Sequence, residues 1–331
     1  MILGETQQGA GRSNVVVTGA GLFSLGNAVV HELSSTSPDD TVLAIDAHPA
    51  AASRANVVAH RFDLNPFNHA DGFEEWSTEL NALVRSAVGA TKPAGPIRAV
   101  FLGAAKYHVG MYESTTAAIR AEVLGSNVFG KWETLHATMR CNAESGFDNA
   151  GVLSMFDVGS LHSMRHTSHR ALYNPSKAAG LALCRVMTSG SEVRRAVHVA
   201  PGPIDTPMLH WNHWALKENG DPQFPSLVGR RLPSLYGAIF RSGDIAALET
   251  AIRELRIEGP QVRAVFERYR HRRKVLAESE EGITTPESLG AYLASLILDR
   301  KSTESGVVEV TSPHGKMTVV KRPFSHAAYV A

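Results

Sequence analysis

The chain has 331 residues, a length that fits one large α/β domain or two ordinary domains. Its 44% apolar and 20% charged residues are typical of a globular protein with a buried core, which excludes a chain disordered throughout. The formal net charge is +1, so binding of nucleic acid through bulk charge is excluded as well.

The N-terminus and the cysteines add few constraints. Residues 1–13 have no apolar segment of a signal peptide, and we expect them to be a flexible polar leader. Two cysteines, Cys141 and Cys184, are too few for a disulfide framework or a thiolate metal site. No stretch approaches the roughly 18 consecutive apolar residues of a membrane-spanning helix. We therefore expect a cytoplasmic protein without a metal, a membrane segment or a nucleic-acid partner.

Short apolar, β-branched runs alternate with amphipathic stretches over much of the chain. The runs predict strands at 15–17, 42–45, 56–59, 99–102, 152–158, 196–199 and 307–310. Such runs are typical of strands covered on both faces, and their alternation with helices favours right-handed βαβ units. The sequence thus predicts an α/β fold, a doubly wound and mainly parallel seven-stranded sheet of Rossmann type with helices on both faces. Ligands of such sheets bind at the carboxyl ends of the strands.

The alternation stops after residue 208. Residues 209–283 contain a Trp/His segment, several prolines and two helical patterns near 243–256 and 260–279. The basic run from Arg268 to Lys274 is interpreted as a solvated helix face. Strand–helix order resumes at Thr285-Pro286, so we interpret 14–331 as one domain with a substrate-covering helical insertion at 209–283. The tail at 316–331 is expected to reach a partner subunit or to close over the site.

A glycine-rich turn follows the first predicted strand, where backbone amides at a helix N-terminus can bind a pyrophosphate. Asp46 ends the second strand, where a carboxylate accepts from both ribose hydroxyls of NAD and repels the 2′-phosphate of NADP. Asp63 follows the third strand and is a candidate acceptor for the adenine amino group. Two alternatives stay open: the glycines only turn the chain, and the two carboxylates only cap strand ends.

Tyr173 and Lys177 lie four residues apart in Tyr-Asn-Pro-Ser-Lys, which places a phenol and an ammonium on one helix face. A neighbouring cation favours the phenolate, which would make Tyr173 an acid/base group near neutral pH. Ser160 ends the fifth predicted strand, at the same sheet edge as the glycine turn. It is a candidate to hold a substrate oxygen.

In this order the motifs resemble the short-chain dehydrogenases/reductases, in their single-domain branch. The resemblance runs from about residue 14 to residue 310 and is interrupted only by the insertion. Asn127 is similar to the fourth catalytic residue of this family, and the segment from Pro201 to Met208 is similar to the one that brackets the nicotinamide.

The resemblance implies a role for each of these residues. Tyr173 passes a proton to or from the substrate oxygen, and Lys177 lowers the pKa of that tyrosine and binds the nicotinamide ribose. Ser160 orients the carbonyl or hydroxyl group, Asn127 holds a water that links Lys177 to solvent, and Thr206 bonds the carboxamide. The dinucleotide-binding residues that it implies are Gly19, Gly21, Ser24, Leu25, Gly26, Asp46, Asp63, Leu64, Gly103, Ala104, Tyr173, Lys177, Pro201, Gly202, Ile204 and Thr206.

Two segments depart from the family pattern. Its Thr-Gly-x-x-x-Gly-x-Gly turn would put glycines at Phe23 and Leu25, so the loop is expected to be longer, with Ser24 replacing one glycine. Its Asn-Asn-Ala-Gly segment appears as Leu102-Gly103-Ala104-Ala105, which is expected to affect the sheet edge more than the chemistry.

The substrate is less constrained. His162 lies in a segment, 161–170, with three histidines and two arginines that either bind an acidic or polar substrate or face solvent or a neighbouring subunit. Trp211 and Trp214 either wall a pocket for a bulky or ring-shaped ketone or alcohol, or anchor the insertion to the core. The resemblance also implies a homodimer or homotetramer that packs through helices near 114–140 and 171–189.

Three functions follow from these patterns. The first is an oxidoreductase that uses NAD rather than NADP to interconvert a secondary alcohol and a ketone. The second is a dinucleotide-sensing regulator on the same fold. The third is an epimerase or dehydratase whose cofactor is recycled in place.

Overall fold

A single mixed sheet forms the centre of the protein. The computed structural model describes residues 13–21, 24–50, 54–89, 95–108, 110–165, 169–206, 208–209 and 270–324, with the single positions 246, 250, 253 and 267. These residues form eight strands in the order β3-β2-β1-β4-β5-β6-β7-β8, and all pairings are parallel except that of β7 with β8. The strands are β1 (Asn14–Thr18), β2 (Thr41–Asp46), β3 (Val57–Arg61), β4 (Ile97–Leu102), β5 (Ser154–Val158), β6 (Arg195–Pro201), β7 (Gly306–Thr311) and β8 (Thr318–Pro323).

Helices cover both faces of the sheet. They are α1 (Leu25–Thr36), α2 (Phe73–Gly89), α3 (Ala117–Leu124), α4 (Gly130–Glu144), α5 (Asn149–Val152), α6 (Tyr173–Ser189) and α7 (Pro286–Leu298). A π-helical turn, Gly125–Phe129, joins α3 to α4, and residues 270–277 are helical as well. None of the described helices is both long and apolar enough to cross a bilayer.

The strands lack alternation because successive side chains enter two different cores. Val15 and Val17 pack with α1 and α7 on one face, whereas Val16 packs with α2, α4 and α6 on the other. Both sets are buried, so successive positions of a strand such as β1 are apolar whichever face they point to. The predicted α/β fold of Rossmann type is thereby confirmed.

The C-terminal tail corrects the predicted strand count. Residues 318–323, predicted as part of a tail beyond the last strand, pair with β7 as an antiparallel eighth strand. Most of its side chains are exposed, so the strand lacks the apolar run by which the others were predicted. Residues 325–331 lie outside the described part.

Three predicted boundaries move. Ser13, predicted as the last residue of the leader, is buried, and its backbone amide and hydroxyl donate to the Asp40 carboxylate at 3.1 and 2.6 Å. The fifth strand begins at Ser154, because Asp148 caps the short helix α5 just before it. The third strand extends to Arg61.

Candidate active site

The glycine turn lies against the end of β4. Gly19 has φ +73°, and a Cβ there would lie 2.6 Å from the amide nitrogen of Ala104, so only glycine fits. Ser24 accepts from the Asn27 amide at 3.0 Å as the N-cap of α1 and donates to the Gly19 carbonyl at 2.6 Å. The serine that replaces a family glycine therefore fixes the helix start to the turn. Residues 22–23, the extra length of the loop, lie outside the described part.

Thr18 ties the two central strands together. Its hydroxyl donates to the Phe101 carbonyl at 3.2 Å and accepts from the amides of Gly103 and Ala104 at 3.1 and 3.3 Å. Sequence reasoning did not single out Thr18, because this role exists only once β1 and β4 pair. The Thr18 hydroxyl thereby stabilises the end of β4, in the segment 102–105 where the resemblance expects asparagines.

The Asp46 carboxylate lies directly under the glycine turn. It accepts from the Gly21 amide at 3.0 Å and from the His48 amide at 2.8 Å. A Cβ on Gly21 would lie 3.0 Å from this carboxylate, so the glycine permits the approach. Each carboxylate oxygen keeps capacity for a further donor such as a ribose hydroxyl.

The side chains of Asp63, Leu25 and Leu64, also predicted to bind the dinucleotide, already have partners within the protein. Asp63 accepts from the Asn65 amide at 2.9 Å and from the Asn68 side chain at 2.8 Å, which is the strand-end cap of the alternative interpretation. The side chains of Leu25 and Leu64 are buried in the two cores. Only the main chain of these two leucines can face a ligand, since their side chains are packed on other residues.

Tyr173 and Ser160 meet at the carboxyl edge of the sheet. Tyr173 opens α6, and Ser160 caps a 3-10 turn, Leu161–Ser163, through an acceptor bond from the His162 amide at 3.2 Å. The Ser160 side chain lies close enough to the Tyr173 hydroxyl to lower its pKa, against the larger effect of burial. Both residues are buried, with exposed fractions of 6% and 8%. The two hydroxyls together can hold one substrate oxygen.

Lys177 lies beside Tyr173, and both side chains are buried. Its ammonium donates to the Val158 carbonyl at 2.9 Å and lies 5.5 Å from the centre of the Tyr173 ring. Burial, and then the neighbouring Tyr107, raise the pKa of Tyr173, while Ser160 and Arg170 oppose the rise. Burial, with the charge of Lys131, holds the pKa of Lys177 well below its usual value. The expected lowering of the tyrosine pKa by Lys177 stays a prediction.

Asn127 joins the end of β4 to α6. It lies in the π-helical turn, where its side chain accepts from the Lys106 amide at 2.6 Å and donates to the Lys106 carbonyl at 2.9 Å. The same amide group donates to the Ser176 hydroxyl at 2.9 Å. Both amide hydrogens are used within the protein, so the side chain positions the start of α6. Its predicted role in holding a water stays a prediction.

A buried ionic network lies directly beneath these residues. Lys131 donates to the Asp157 carboxylate at 2.6 Å and to the Val158 carbonyl at 2.8 Å. The second carboxylate oxygen lies 2.8 Å from Nδ1 of His198. Lys131, Asp157 and His198 are at most 2% exposed. Burial opposes ionisation of Asp157, but Lys131 and His198 outweigh it and hold the pKa of the carboxyl below its usual value.

Cys184 adds a third potential metal-ligand atom to Asp157 and His198, all within 4.8 Å of one another. The Asp157 carboxylate already forms an ion pair with the Lys131 ammonium. Burial raises the pKa of the Cys184 thiol well above its usual value. Since a metal requires the thiolate and would be repelled by two lysines, the group is interpreted as structural.

The segment after β6 also reaches the carboxyl edge. The amide of Gly202, the residue after Pro201, donates to the Val310 carbonyl at 2.8 Å. Ile204 forms an isolated parallel β-bridge with Thr284. Thr206 donates from its hydroxyl to the Ile204 carbonyl at 3.4 Å, a long bond that leaves it available to a ligand. Trp211 and Trp214, the predicted substrate tryptophans, lie outside the described part.

Cationic side chains gather beside Tyr173. The Arg170 guanidinium lies 5.6 Å from the centre of the Tyr107 ring, and that ring meets the Tyr173 ring edge-on at 4.6 Å. Burial, followed by the charges of Arg170 and Arg165, lowers the pKa of His162 to about 4, so this histidine is neutral at neutral pH. Arg272, predicted on a solvated face, is instead partly buried and close to both Tyr107 and Arg170.

No protein-family model matches the sequence, and a search of curated proteins finds no similar sequence. Solved structures of similar fold do exist. A short chain dehydrogenase family protein from Francisella tularensis subsp. tularensis SCHU S4 is 15% identical with a TM-score of 0.58, covering 90% of this chain and 97% of that one. Aldohexose dehydrogenase from Thermoplasma acidophilum is 16% identical with a TM-score of 0.58, covering 90% of this chain and 93% of that one.

A third similar structure is an alcohol dehydrogenase from the archaeon Thermococcus sibiricus, solved with 5-hydroxy-NADP. It is 16% identical with a TM-score of 0.53, covering 92% of this chain and 97% of that one. At these identities the likeness concerns the fold alone. The chain has the fold of the short-chain dehydrogenases/reductases, and the fold that the sequence resemblance implies is thereby confirmed.

Proposed function

We propose that the protein is an oxidoreductase of the short-chain dehydrogenase/reductase type that uses NAD to interconvert a secondary alcohol and a ketone. The observation that carries the proposal is that the buried side chains of Ser160, after β5, and Tyr173, at the start of α6, lie close enough together for Ser160 to lower the pKa of Tyr173. This pair lies at the same sheet edge as the Gly19 turn, where ligands of doubly wound sheets bind. A fold alone does not define an activity, so these side chains carry the assignment.

The glycine turn supports a dinucleotide as cofactor. Gly19 and Gly21 leave the backbone open where a Cβ would collide, and the N-terminus of α1 directs amides toward the same place. When bound, the dinucleotide supplies or accepts the hydride. Asp46 supports NAD over NADP, because its carboxylate would repel a 2′-phosphate. Cofactor choice is tested separately below, since similar structures include NADP complexes.

The protein's own groups position the substrate and move the proton. Ser160 donates to the substrate oxygen and holds it beside Tyr173. In ketone reduction the protonated Tyr173 hydroxyl passes its proton to this oxygen, and in alcohol oxidation it takes the proton back. We propose that Lys177, whose ammonium donates to the Val158 carbonyl, binds the nicotinamide ribose, as the resemblance implies.

The test is replacement of the two hydroxyls. Tyr173→Phe and Ser160→Ala are each expected to lower kcat by about 10²–10⁴-fold, the usual contribution of a positioned acid/base, while NADH still binds. Oxidation of NADH is followed by its absorbance over a panel of cyclic and linear ketones. Tyr292→Phe is the matched control, because this tyrosine lies on α7 and its hydroxyl has no partner among the described residues.

The outcomes separate the three functions that the sequence left open. Undiminished turnover by Tyr173→Phe would contradict the assigned role. Product formation without a net change in NADH would favour an epimerase or dehydratase. Tight NADH binding with no turnover of any ketone would favour the regulatory protein.

A further inference from the structure

A second charged group, besides Lys177, lies near the proposed reaction centre. Arg170 precedes α6 by three positions, and its guanidinium packs on the face of the Tyr107 ring at 5.6 Å. Tyr107 in turn contacts the Tyr173 ring edge-on at 4.6 Å. The Arg170 charge is near enough to act on the Tyr173 hydroxyl directly. The Arg170 guanidinium therefore lies close enough to Tyr173 for one small substrate to contact both side chains.

Arg272 brings a second guanidinium to the same place from a distant segment. Residues 270–277 are helical, and Arg272 lies on the side of this helix that faces the domain, where its charge interacts with Tyr107 and Arg170. Its Nε is buried and has no hydrogen-bond partner among the described residues. The neighbouring arginines are placed differently, because Arg273 pairs with Asp205 at 3.1 Å and Arg270 is exposed beside Glu267 at 3.7 Å.

Within the described part of the chain, no carboxylate forms an ion pair with Arg170 or Arg272. Two like charges that are partly buried and close together repel each other and lose hydration, which is unfavourable unless an anion joins them. Packing on the Tyr107 ring stabilises Arg170 only partly. His162 cannot compensate these charges, because an imidazole is either neutral or cationic. It is neutral here, and its Nδ1 is also buried without a partner among the described residues.

We propose that Arg170 and Arg272 bind an anionic group of the substrate, a carboxylate, while Tyr173 and Ser160 hold its ketone or hydroxyl oxygen. The inference rests on the proposed function and narrows it to oxo acids and hydroxy acids. Guanidinium groups suit this role, because their planar donors match the two oxygens of a carboxylate. Arg272 also gives the helix at 270–277 a function, as the specificity-determining part of the insertion.

The experiment compares ketones that differ only in charge. The probes are levulinate and methyl levulinate, and 4-oxocyclohexanecarboxylate and its ethyl ester, assayed with NADH on the full chain. The wild-type protein should use each acid with a higher kcat/KM than its ester. Arg170→Gln and Arg272→Gln should each lower kcat/KM for the acids by about tenfold to a hundredfold more than for the esters, mainly through KM. A smaller loss on the esters is expected for Arg170→Gln, because the Arg170 charge also acts on Tyr173. Arg270→Gln, two positions along the same helix, is the control and should change neither.

Equal use of acid and ester by the wild-type protein would overturn the proposal, and so would an equal loss on both in Arg272→Gln. Turnover of the esters alone would leave the alcohol/ketone function standing and remove the anion site. If no probe is turned over, calorimetric titration of the NADH complex with 4-oxocyclohexanecarboxylate decides the anion site on its own. Binding that is lost in Arg272→Gln and kept in Arg270→Gln supports it, and absence of binding to the wild-type protein overturns it.

Discussion

Lys131 and Lys177 donate to one and the same oxygen, the carbonyl of Val158, at 2.8 and 2.9 Å. Both side chains are buried, and the Asp157 carboxylate that balances them bonds Lys131 directly at 2.6 Å. The proposed catalytic lysine is therefore part of a larger ionic network that extends beneath the sheet edge. This network sets the charge state of the site, since Lys131 is second only to burial in lowering the pKa of Lys177.

Removing Lys131 should destabilise the fold. In Lys131→Met the Asp157 carboxylate loses its main cation while it stays buried, and breaking such a pair costs about 3–5 kcal/mol of the free energy of unfolding. Urea denaturation at neutral pH measures the loss. Lys106→Met is the control, because Lys106 pairs with Glu122 at the surface, with both side chains more than half exposed, and should cost at most about 1 kcal/mol. Equal losses in the two variants would contradict the ionic role of Lys131.

The raised pKa of Tyr173 predicts how each reaction direction depends on pH. A group whose pKa is raised keeps its proton to higher pH, so the acid that ketone reduction needs persists across neutral and alkaline pH. We expect kcat/KM for reduction to stay level up to about pH 10, the usual pKa of tyrosine, and that for alcohol oxidation to rise over the same range. Profiles measured in both directions check this. A fall in reduction with a midpoint near pH 7 would show that the phenol is acidic instead.

How far the sequence predicted this site depends on the distance between the partners along the chain. The strand ends and the spacing of Tyr173 and Lys177 are local patterns, so the sheet and the positions of the proposed catalytic residues could be predicted. Asp157 is 26 residues from Lys131 and 41 from His198, and the three meet only through strand pairing and helix packing. No local pattern distinguishes these polar residues from others within apolar runs. Arg272 was missed for a similar reason, because its run of basic residues indicates only a charged helix.

Asp46 should determine the choice of cofactor. We expect the wild-type protein to prefer NADH, and Asp46→Asn to narrow the ratio of kcat/KM for NADH over NADPH by about tenfold, since it removes the charge that repels a 2′-phosphate. Asparagine keeps an oxygen that can accept from the Gly21 amide. Asp63→Asn is the control, because that carboxylate caps a turn and should leave the ratio unchanged. A wild-type preference for NADPH would show that Asp46 does not face the ribose.

Exposed aromatic side chains on α4 predict self-association, in line with the expected homodimer or homotetramer. Trp132 is 42% exposed, and Phe129 nearby is 37% exposed and meets the exposed Phe67 ring edge-on at 5.6 Å. Exposed aromatic side chains that lie close together on a surface are often covered by a partner. If a second copy covers it, Trp132→Glu buries a charge in the interface and should shift the protein to a monomer, as measured by sedimentation. Val320→Glu, at a position on β8 that is also 42% exposed, is the control and should keep the assembly of the wild-type protein. A wild-type chain that sediments as a monomer would contradict the interface, and a Trp132→Glu variant that still assembles would place it on another face.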